Sequence, residues 1–219
     1  MSGALVIGAG PGLGAAIARR FAREGFPIAL IARNRDAAEG IAARVRELRV
    51  PVLPLEADVV DEDALRSAID RSAEEFGVPD VVVYNAALIR RDAPGDLTAK
   101  QYADAYAVNV VGVLTAAVHA VPAMASRGRG SFLITGGMPK PVAQYTSLSM
   151  GKAAVRALAE ILHQQYGPHG VHVATVTVYG NIASGSNFGP DDIAERYWLL
   201  HTQPRDEWEL DHPYTGIRS

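Results

Sequence analysis

A chain of 219 residues, 48% hydrophobic and 21% charged, has the length and balance of one soluble domain able to bury a sizeable core. Its net charge of −3, without a basic cluster or aromatic ladder, gives no electrostatic case for nucleic acid or an anionic membrane as a partner. The absence of cysteine excludes disulfides, thiolate metal sites and thiol catalysis; no stretch reads as the roughly 20 apolar residues of a spanning helix, the first residues lack the pattern of a signal peptide, and a cytoplasmic protein is expected.

The chain starts with a short apolar run, Ala4-Leu5-Val6-Ile7, read as a buried strand. A turn with Gly8, Gly10, Gly12 and Gly14 follows, and then Leu13, Ile17 and Phe21 recur at helical spacing up to Glu24-Gly25. Strand, glycine turn and helix in that order make a cradle for a pyrophosphate: glycines allow close approach of the backbone, and the free N–H groups at the helix start face the anion. Residues 27–32 form a second apolar strand ending at Arg33-Asn34-Arg35. An acid at this place would accept a ribose 2′-hydroxyl, whereas an arginine accommodates a 2′-phosphate, so Arg33 argues for NADP over NAD. Pro11 adds no cation over the phosphates.

A third strand, 51–57, ends at Asp58-Val59, and Asp61 caps a helix carrying Leu65, Ile69, Ala73 and Phe76, with Gly77 as its stop. A fourth strand, 80–84, runs into Asn85-Ala86-Ala87. After a charged loop over 88–100, a helical region extends from about Thr98 to Arg127, interrupted around 110–112, with a kink or tightened turn expected at Pro122. Asn109 within it sits in an apolar setting and needs partners, as a structural residue or as part of a site. The pattern continues with a strand at 130–135, a helix from about Gln144 to Tyr166, a strand at 171–178, a polar loop to Pro190, a helix from Asp191 through Leu200, and a short edge strand at 208–210. Alternation at this spacing predicts an α/β fold, a doubly wound parallel sheet with helices on both faces, and one domain over 1–219.

With these pieces placed, residues 3–185 resemble the short-chain dehydrogenase/reductase family. Gly8, Gly12 and Gly14 match its T-G-x-x-x-G-x-G turn, with Ile7 for the threonine. Asp58-Val59 looks like its adenine-binding acid, Asn85-Ala86-Ala87 like its N-A-G segment, and Asn109 falls at its catalytic asparagine. Gly180, Ile182 and Ser184 resemble the segment that meets the nicotinamide carboxamide, with Tyr179 in place of a proline. The resemblance implies a Rossmann-type sheet of about seven strands in the order 3-2-1-4-5-6-7. It also implies a bound dinucleotide held by Gly8, Gly10, Gly12, Leu13, Gly14, Arg33, Asn34, Asp58, Val59, Asn85, Ala86, Ala87, Lys152, Gly180, Ile182 and Ser184. A homodimer or homotetramer built on the helices around 102–127 and 145–166 is expected, with Ala116, Ala117, Ala120, Ala154 and Ala157 allowing close packing.

The catalytic residues depart from the family pattern. Family enzymes use a tyrosine four residues before the lysine, sharing its helix face so that the ammonium lowers the phenol's pKa. Here the lysine is Lys152, and Leu148 stands where the tyrosine belongs. Thirteen residues before Leu148, Thr135 keeps a hydroxyl in the serine position. Tyr145 lies seven residues before Lys152, about 10.5 Å of helical rise against about 6 Å for four residues. Two readings follow. One is an NADP(H)-dependent oxidoreductase acting on a carbonyl or alcohol, in which Thr135 polarises the carbonyl, Asn109 and Lys152 hold a water chain, and Tyr145 or water supplies the proton. The other is a dinucleotide-binding sensor or interaction protein without redox turnover. In the loop 184–190, Phe188 is the one apolar candidate for substrate contact. The six histidines, at 119, 163, 169, 172, 201 and 212, show no ligand spacing, so no metal is expected; His119 and His163 read as packing or interface residues.

Overall fold

The computed structural model describes residues 2–216. Seven parallel strands form one sheet in the order β3-β2-β1-β4-β5-β6-β7. They are β1 (Ala4–Ile7), β2 (Ile28–Ala32), β3 (Val52–Glu56), β4 (Val81–Tyr84), β5 (Gly130–Thr135), β6 (Val171–Val178) and β7 (Asp211–Tyr214). The central strands are apolar and buried on both sides, as a parallel sheet covered by helices requires. One face carries α1 (Leu13–Arg23), α2 (Arg35–Arg46) and α7 (Pro190–Thr202); the other carries α3 (Glu62–Phe76), α5 (Gly112–Ser126) and α6 (Thr146–Tyr166). The short α4 (Ala99–Tyr106) leads into α5.

The side chains of β1 divide between the faces: Ala4 and Val6 join the core under α1 and α7, while Leu5 and Ile7 join the core under α3, α5 and α6. On the first face, Phe21, Phe26, Trp198 and His201 meet edge-on or tilted at 5.6–6.0 Å, and Arg20 lies over Trp198 at 4.8 Å while pairing with Glu195 at 2.7 Å. These contacts dock α7 on α1. Both edge strands contain a proline, Pro54 in β3 and Pro213 in β7, which withholds an N–H from the exposed edge and disfavours pairing with another chain.

Three expectations are corrected, and a fourth, the interruption near 110–112, is met. The edge strand lies at Asp211–Tyr214, not at 208–210. Trp208 is instead stacked on His172 at 4.7 Å, and Asp211 is anchored to β6 by the hydroxyls of Thr175 and Thr177. The interruption near 110–112 is a π-helical turn over Ala107–Val111, and the helix continues through Pro122 to Ser126. The helical run Ala99–Ser126 is 28 residues long with mean hydropathy 1.7 in its most apolar window, enough by length and composition to cross a membrane. Part of its apolar surface is spent on the core, with Val113, Val121 and Met124 at most 1% exposed. Ala116, Ala117 and Ala120 face that core too, rather than an outer packing surface.

Candidate active site

Most of the residues picked out from sequence follow the C-terminal ends of β1 to β6, with Asn109, Tyr145 and Lys152 on or beside helices, as expected for a ligand crevice in a doubly wound sheet. The glycines of the first turn have different tasks. Gly8 has φ of +85°, and a Cβ there would lie 2.3 Å from the Ala86 nitrogen. At Gly14 a Cβ would lie 2.7 Å from the Gly8 carbonyl, so this glycine lets α1 approach β1. Gly10 and Gly12 have nothing within 4 Å of where a Cβ would be. The turn is therefore packed beneath and open above, at the N-terminus of α1, a fit to a pyrophosphate that needs backbone N–H groups and no side chain in the way. Leu13 is buried under the turn.

At the end of β2, Arg33 and Arg35 are exposed and make no ion pair among the described residues. Asn34 caps α2, its side chain accepting from Ala37 N at 3.0 Å. Asp58 is half-buried at the end of β3 and accepts from Val60 N at 3.2 Å, while the Val59 side chain turns into the core. Ala87 is exposed at the crevice. After β6, Ile182 packs on the core and Ser184 is exposed. The following loop closes on itself: Ser186 Oγ donates to Ala183 O at 2.8 Å and accepts from Phe188 N at 3.1 Å. The Phe188 ring occupies the place of a Cβ on Gly180 and meets Tyr214 edge-on at 5.9 Å. It is thus structural packing, which corrects the view of Phe188 as a substrate contact.

A chain of hydrogen bonds links the glycine turn to α7. Asn85 Nδ2 donates to Gly8 O at 2.9 Å, which leaves Asn85 Oδ1 as an acceptor. Thr135 Oγ1 donates to that oxygen at 2.8 Å. Its single proton being used, the 2.7 Å contact between Thr135 Oγ1 and Tyr197 Oη has the tyrosine as donor. Tyr197 is fully buried, and burial raises its phenol pKa far above the ordinary value. Thr135 shares the face of Leu133, under α7, whereas Lys152 comes from α6 on the opposite face and donates from Nζ to the Thr135 carbonyl at 2.6 Å. Thr135 is therefore a junction between the cofactor cradle, α6 and α7. Its hydroxyl proton is not available to a substrate.

Lys152 is 6% exposed, and burial pushes its ammonium pKa down to about 8. Gly151 beside it brings α6 against the π-helical turn, since a Cβ there would stand 3.1 Å from Asn109 Cβ. The Asn109 amide is committed to the chain after β4, accepting from Leu88 N at 2.9 Å and donating to Leu88 O at 3.2 Å. Tyr84 on β4 donates to Val108 O at 2.7 Å, and Gly112 leaves room for its phenol. π-Helical turns recur at functional sites, and this one is held on two sides.

Tyr145 is the residue before α6 rather than part of it, half-buried, with φ −141° and ψ 50°. Its hydroxyl makes no hydrogen bond among the described residues, to Lys152 or otherwise. Lacking a capping side chain there, α6 is capped from elsewhere: the buried Asp92 carboxylate accepts from Ser147 N at 2.9 Å and Ser147 Oγ at 3.1 Å. Arg156, one turn beyond Lys152, donates to the carbonyls of Gly137 and Met138 at 3.2 Å each and holds the loop after β5. Asp92→Ala is expected to cost about 2 kcal/mol, the upper range for a lost cap, and to loosen the loop at 88–96; urea unfolding and amide exchange of residues 144–150 check this.

Asp92, Tyr197 and Arg156 were not recognised from sequence. An acid in a charged loop and a tyrosine on an amphipathic helix carry no local signal of their distant partners. Gly151 did carry one, because a glycine inside a helix costs about 1 kcal/mol and calls for a packing reason. Two concavities of about 360 and 310 Å³ lie at the other end of the sheet around Trp208, away from these residues.

Residues 2–185 match the family model described as short chain dehydrogenase. Among curated proteins, a cis-4-hydroxycyclohexanecarboxylate dehydrogenase of Sinomonas cyclohexanicum is 31% identical over 176 residues, covering 79% of this chain and 70% of the relative. Among solved structures, an alcohol dehydrogenase of the archaeon Thermococcus sibiricus complexed with 5-hydroxy-NADP superposes with a TM-score of 0.87 at 26% identity, covering 99% of each chain. An NAD+-bound xylitol dehydrogenase gives a TM-score of 0.90 over 99% of this chain and 98% of that one; at 22% identity, that likeness is one of fold. The family model spans residues 2–185 and the sheet order is that of the superposed fold, and the chain belongs to the short-chain dehydrogenase family of oxidoreductases.

Proposed function

We propose that the protein is an NADP(H)-dependent oxidoreductase that interconverts a small carbonyl compound and its alcohol. The observation that carries this reading is the glycine turn, packed at Gly8 and Gly14 and open at Gly10 and Gly12, with unpaired Arg33 at the end of the neighbouring strand. In this reading the backbone N–H groups of Gly12 and Leu13 hold the pyrophosphate, and Gly10, whose N–H donates to Gly8 O at 2.9 Å, leaves room for it. Arg33, with the backbone at Asn34, takes the 2′-phosphate, and Asp58 and Val59 border the adenine. Asn85, Ala86 and Ala87 line the floor, while Gly180, Ile182 and Ser184 face the nicotinamide end. When bound, the dinucleotide supplies or accepts hydride. The chain's own contribution is to fix the floor through Asn85 and Thr135 and to place Lys152, supported by Asn109 and its π-helical turn, beside the reacting centre.

The short loop after β6 folds on itself through Ser186, and the alicyclic alcohol named for the Sinomonas relative makes small alcohols the first substrates to try. A second copy of the chain fits the exposed apolar residues Val111 of the π-helical turn, Leu114 and Val118 of α5, and Met150 and Ile161 of α6, giving a homodimer or homotetramer. The cysteine-free composition suits a reducing cytoplasm.

The cofactor assignment is tested by fluorescence titration of NADPH and NADH. Binding of NADPH at least tenfold tighter is expected, in line with a charge-assisted contact of about 1.5–3 kcal/mol. Arg33→Asp should reverse the preference. Equal affinities unaffected by that change would refute the 2′-phosphate assignment, and NADPH binding without turnover of any alcohol or carbonyl would favour the sensor reading, which Leu148 suggests.

A further inference from the structure

The groups near the end of β5 that can donate a proton are few, and most are committed within the protein. The Thr135 hydroxyl donates to Asn85, and the Tyr197 phenol donates to Thr135. The Asn109 amide is closed on Leu88, Ser147 is held by Asp92, and Ser149 Oγ donates to Val142 O. Leu148, one turn before Lys152 and 6% exposed, has no proton to give. The Lys152 ammonium has three N–H donors and spends one, on the Thr135 carbonyl. No carboxylate pairs with it among the described residues.

We propose that Lys152 is itself the acid–base residue of the reaction, taking the place that a tyrosine at position 148 would fill. This rests on the oxidoreductase reading above. In reduction, hydride from the bound dihydronicotinamide reaches the carbonyl carbon, and the ring is oxidised as the carbonyl is reduced. The π pair of the carbonyl moves to its oxygen, which takes one proton from Lys152 Nζ to complete the alcohol. The neutral amine left behind is reprotonated from solvent; in alcohol oxidation it removes the hydroxyl proton instead. Burial and the lack of an anionic partner favour this use, because both bring the ammonium close to the point of losing a proton near neutral pH. The Thr135 carbonyl holds one N–H and so aims the other two.

The test combines titration with turnover. Carbon-13 NMR of Lys152 Cε in the cofactor-free wild type, assigned by its absence in Lys152→Met, reads the protonation of Nζ without any reaction. A midpoint near 8 is expected, with the same midpoint governing kcat/KM for reduction of 9,10-phenanthrenequinone, activity falling as pH rises through it. Lys152→Arg keeps the cation but cannot release its proton, and should bind NADPH within about threefold of wild type while turning over at least 10²-fold more slowly at every pH. An Nζ midpoint above 10 would overturn the proposal. So would a fast Lys152→Arg enzyme, or a rate profile set by a group near 10 that disappears in Tyr145→Phe, which would assign the proton to Tyr145. Wild type that binds NADPH without reducing the quinone or a panel of carbonyls would overturn the oxidoreductase reading, and this proposal with it; an Nζ midpoint near 8 in that case would show a perturbed lysine with no catalytic use.

Discussion

Gly8→Ala is expected to destabilise the folded chain by about 3 kcal/mol or more, whereas Gly12→Ala should act chiefly on dinucleotide affinity. At Gly8 the new Cβ would fall 2.3 Å from Ala86 N and 2.5 Å from Ala86 Cα, backbone atoms that belong to the end of β4 and cannot yield alone. The φ of +85° adds about 1–2 kcal/mol for any L side chain, and overpacking adds about 1–3 kcal/mol. For a chain of this size, that total lowers Tm by roughly 6–12 °C. At Gly12 nothing lies within 4 Å, and the cost to the fold is the backbone's alone, φ −87° and ψ −114°, about 1 kcal/mol. The side chain there would stand between the backbone N–H groups and the pyrophosphate. A loss of charge-assisted hydrogen bonds worth about 1.5–3 kcal/mol weakens NADPH binding about 10–150-fold. Thermal unfolding and NADPH titration of the two variants separate these effects; similar Tm losses with equal affinities would show that the turn has no division between packed and open glycines.

Replacing Lys152 with methionine should stabilise the fold at pH 7 while abolishing turnover. The ammonium's pKa falls from 10.5 in a free chain to about 8 in the folded protein because it is buried. Below pH 8 both states are protonated, and the folded state bears a penalty of about 3 kcal/mol for the buried charge. Between pH 8 and 10.5 the folded state loses its proton first and the penalty fades; above 10.5 it is gone. Methionine removes the penalty and forfeits the bond to Thr135 O, worth about 1 kcal/mol. The net gain is about 2 kcal/mol at neutral pH, or roughly 4–8 °C in Tm, and the advantage over wild type should shrink towards pH 10. A methionine variant less stable than wild type at pH 7 would show that the charge is compensated within the fold. A more stable but inactive methionine variant would be an instance of the usual trade between stability and activity at a site.

The fold was legible because it rests on local patterns repeated in order: apolar runs of four to eight residues, helical spacing, Gly25 and Gly77 as stops, Asp61 as a cap. Each acts through its own neighbourhood, so no long-range information is needed. The roles of Lys152 and Leu148 followed only from the resemblance to the family pattern, but the glycine turn was likewise visible from residue type and spacing. The last strand was not, because Asp211-His212-Pro213-Tyr214 has no strand-like alternation and pairs with β6 through an aspartate that answers two threonine hydroxyls. Nor could the sequence tell which hydroxyls are spent. Thr135 reads as a free donor until Asn85, fixed by Gly8, and Tyr197, brought by α7, are placed around it. Asp92 reads as a loop acid until it is found at the start of α6. The sequence by itself determined the order of elements, the cradle and the identity of the chemical groups, since these follow from backbone freedom, periodicity and residue type. Only the tertiary structure decided which proton each group still holds, because a hydrogen bond is a property of two partners, and here the partners stand 50 and 62 residues apart.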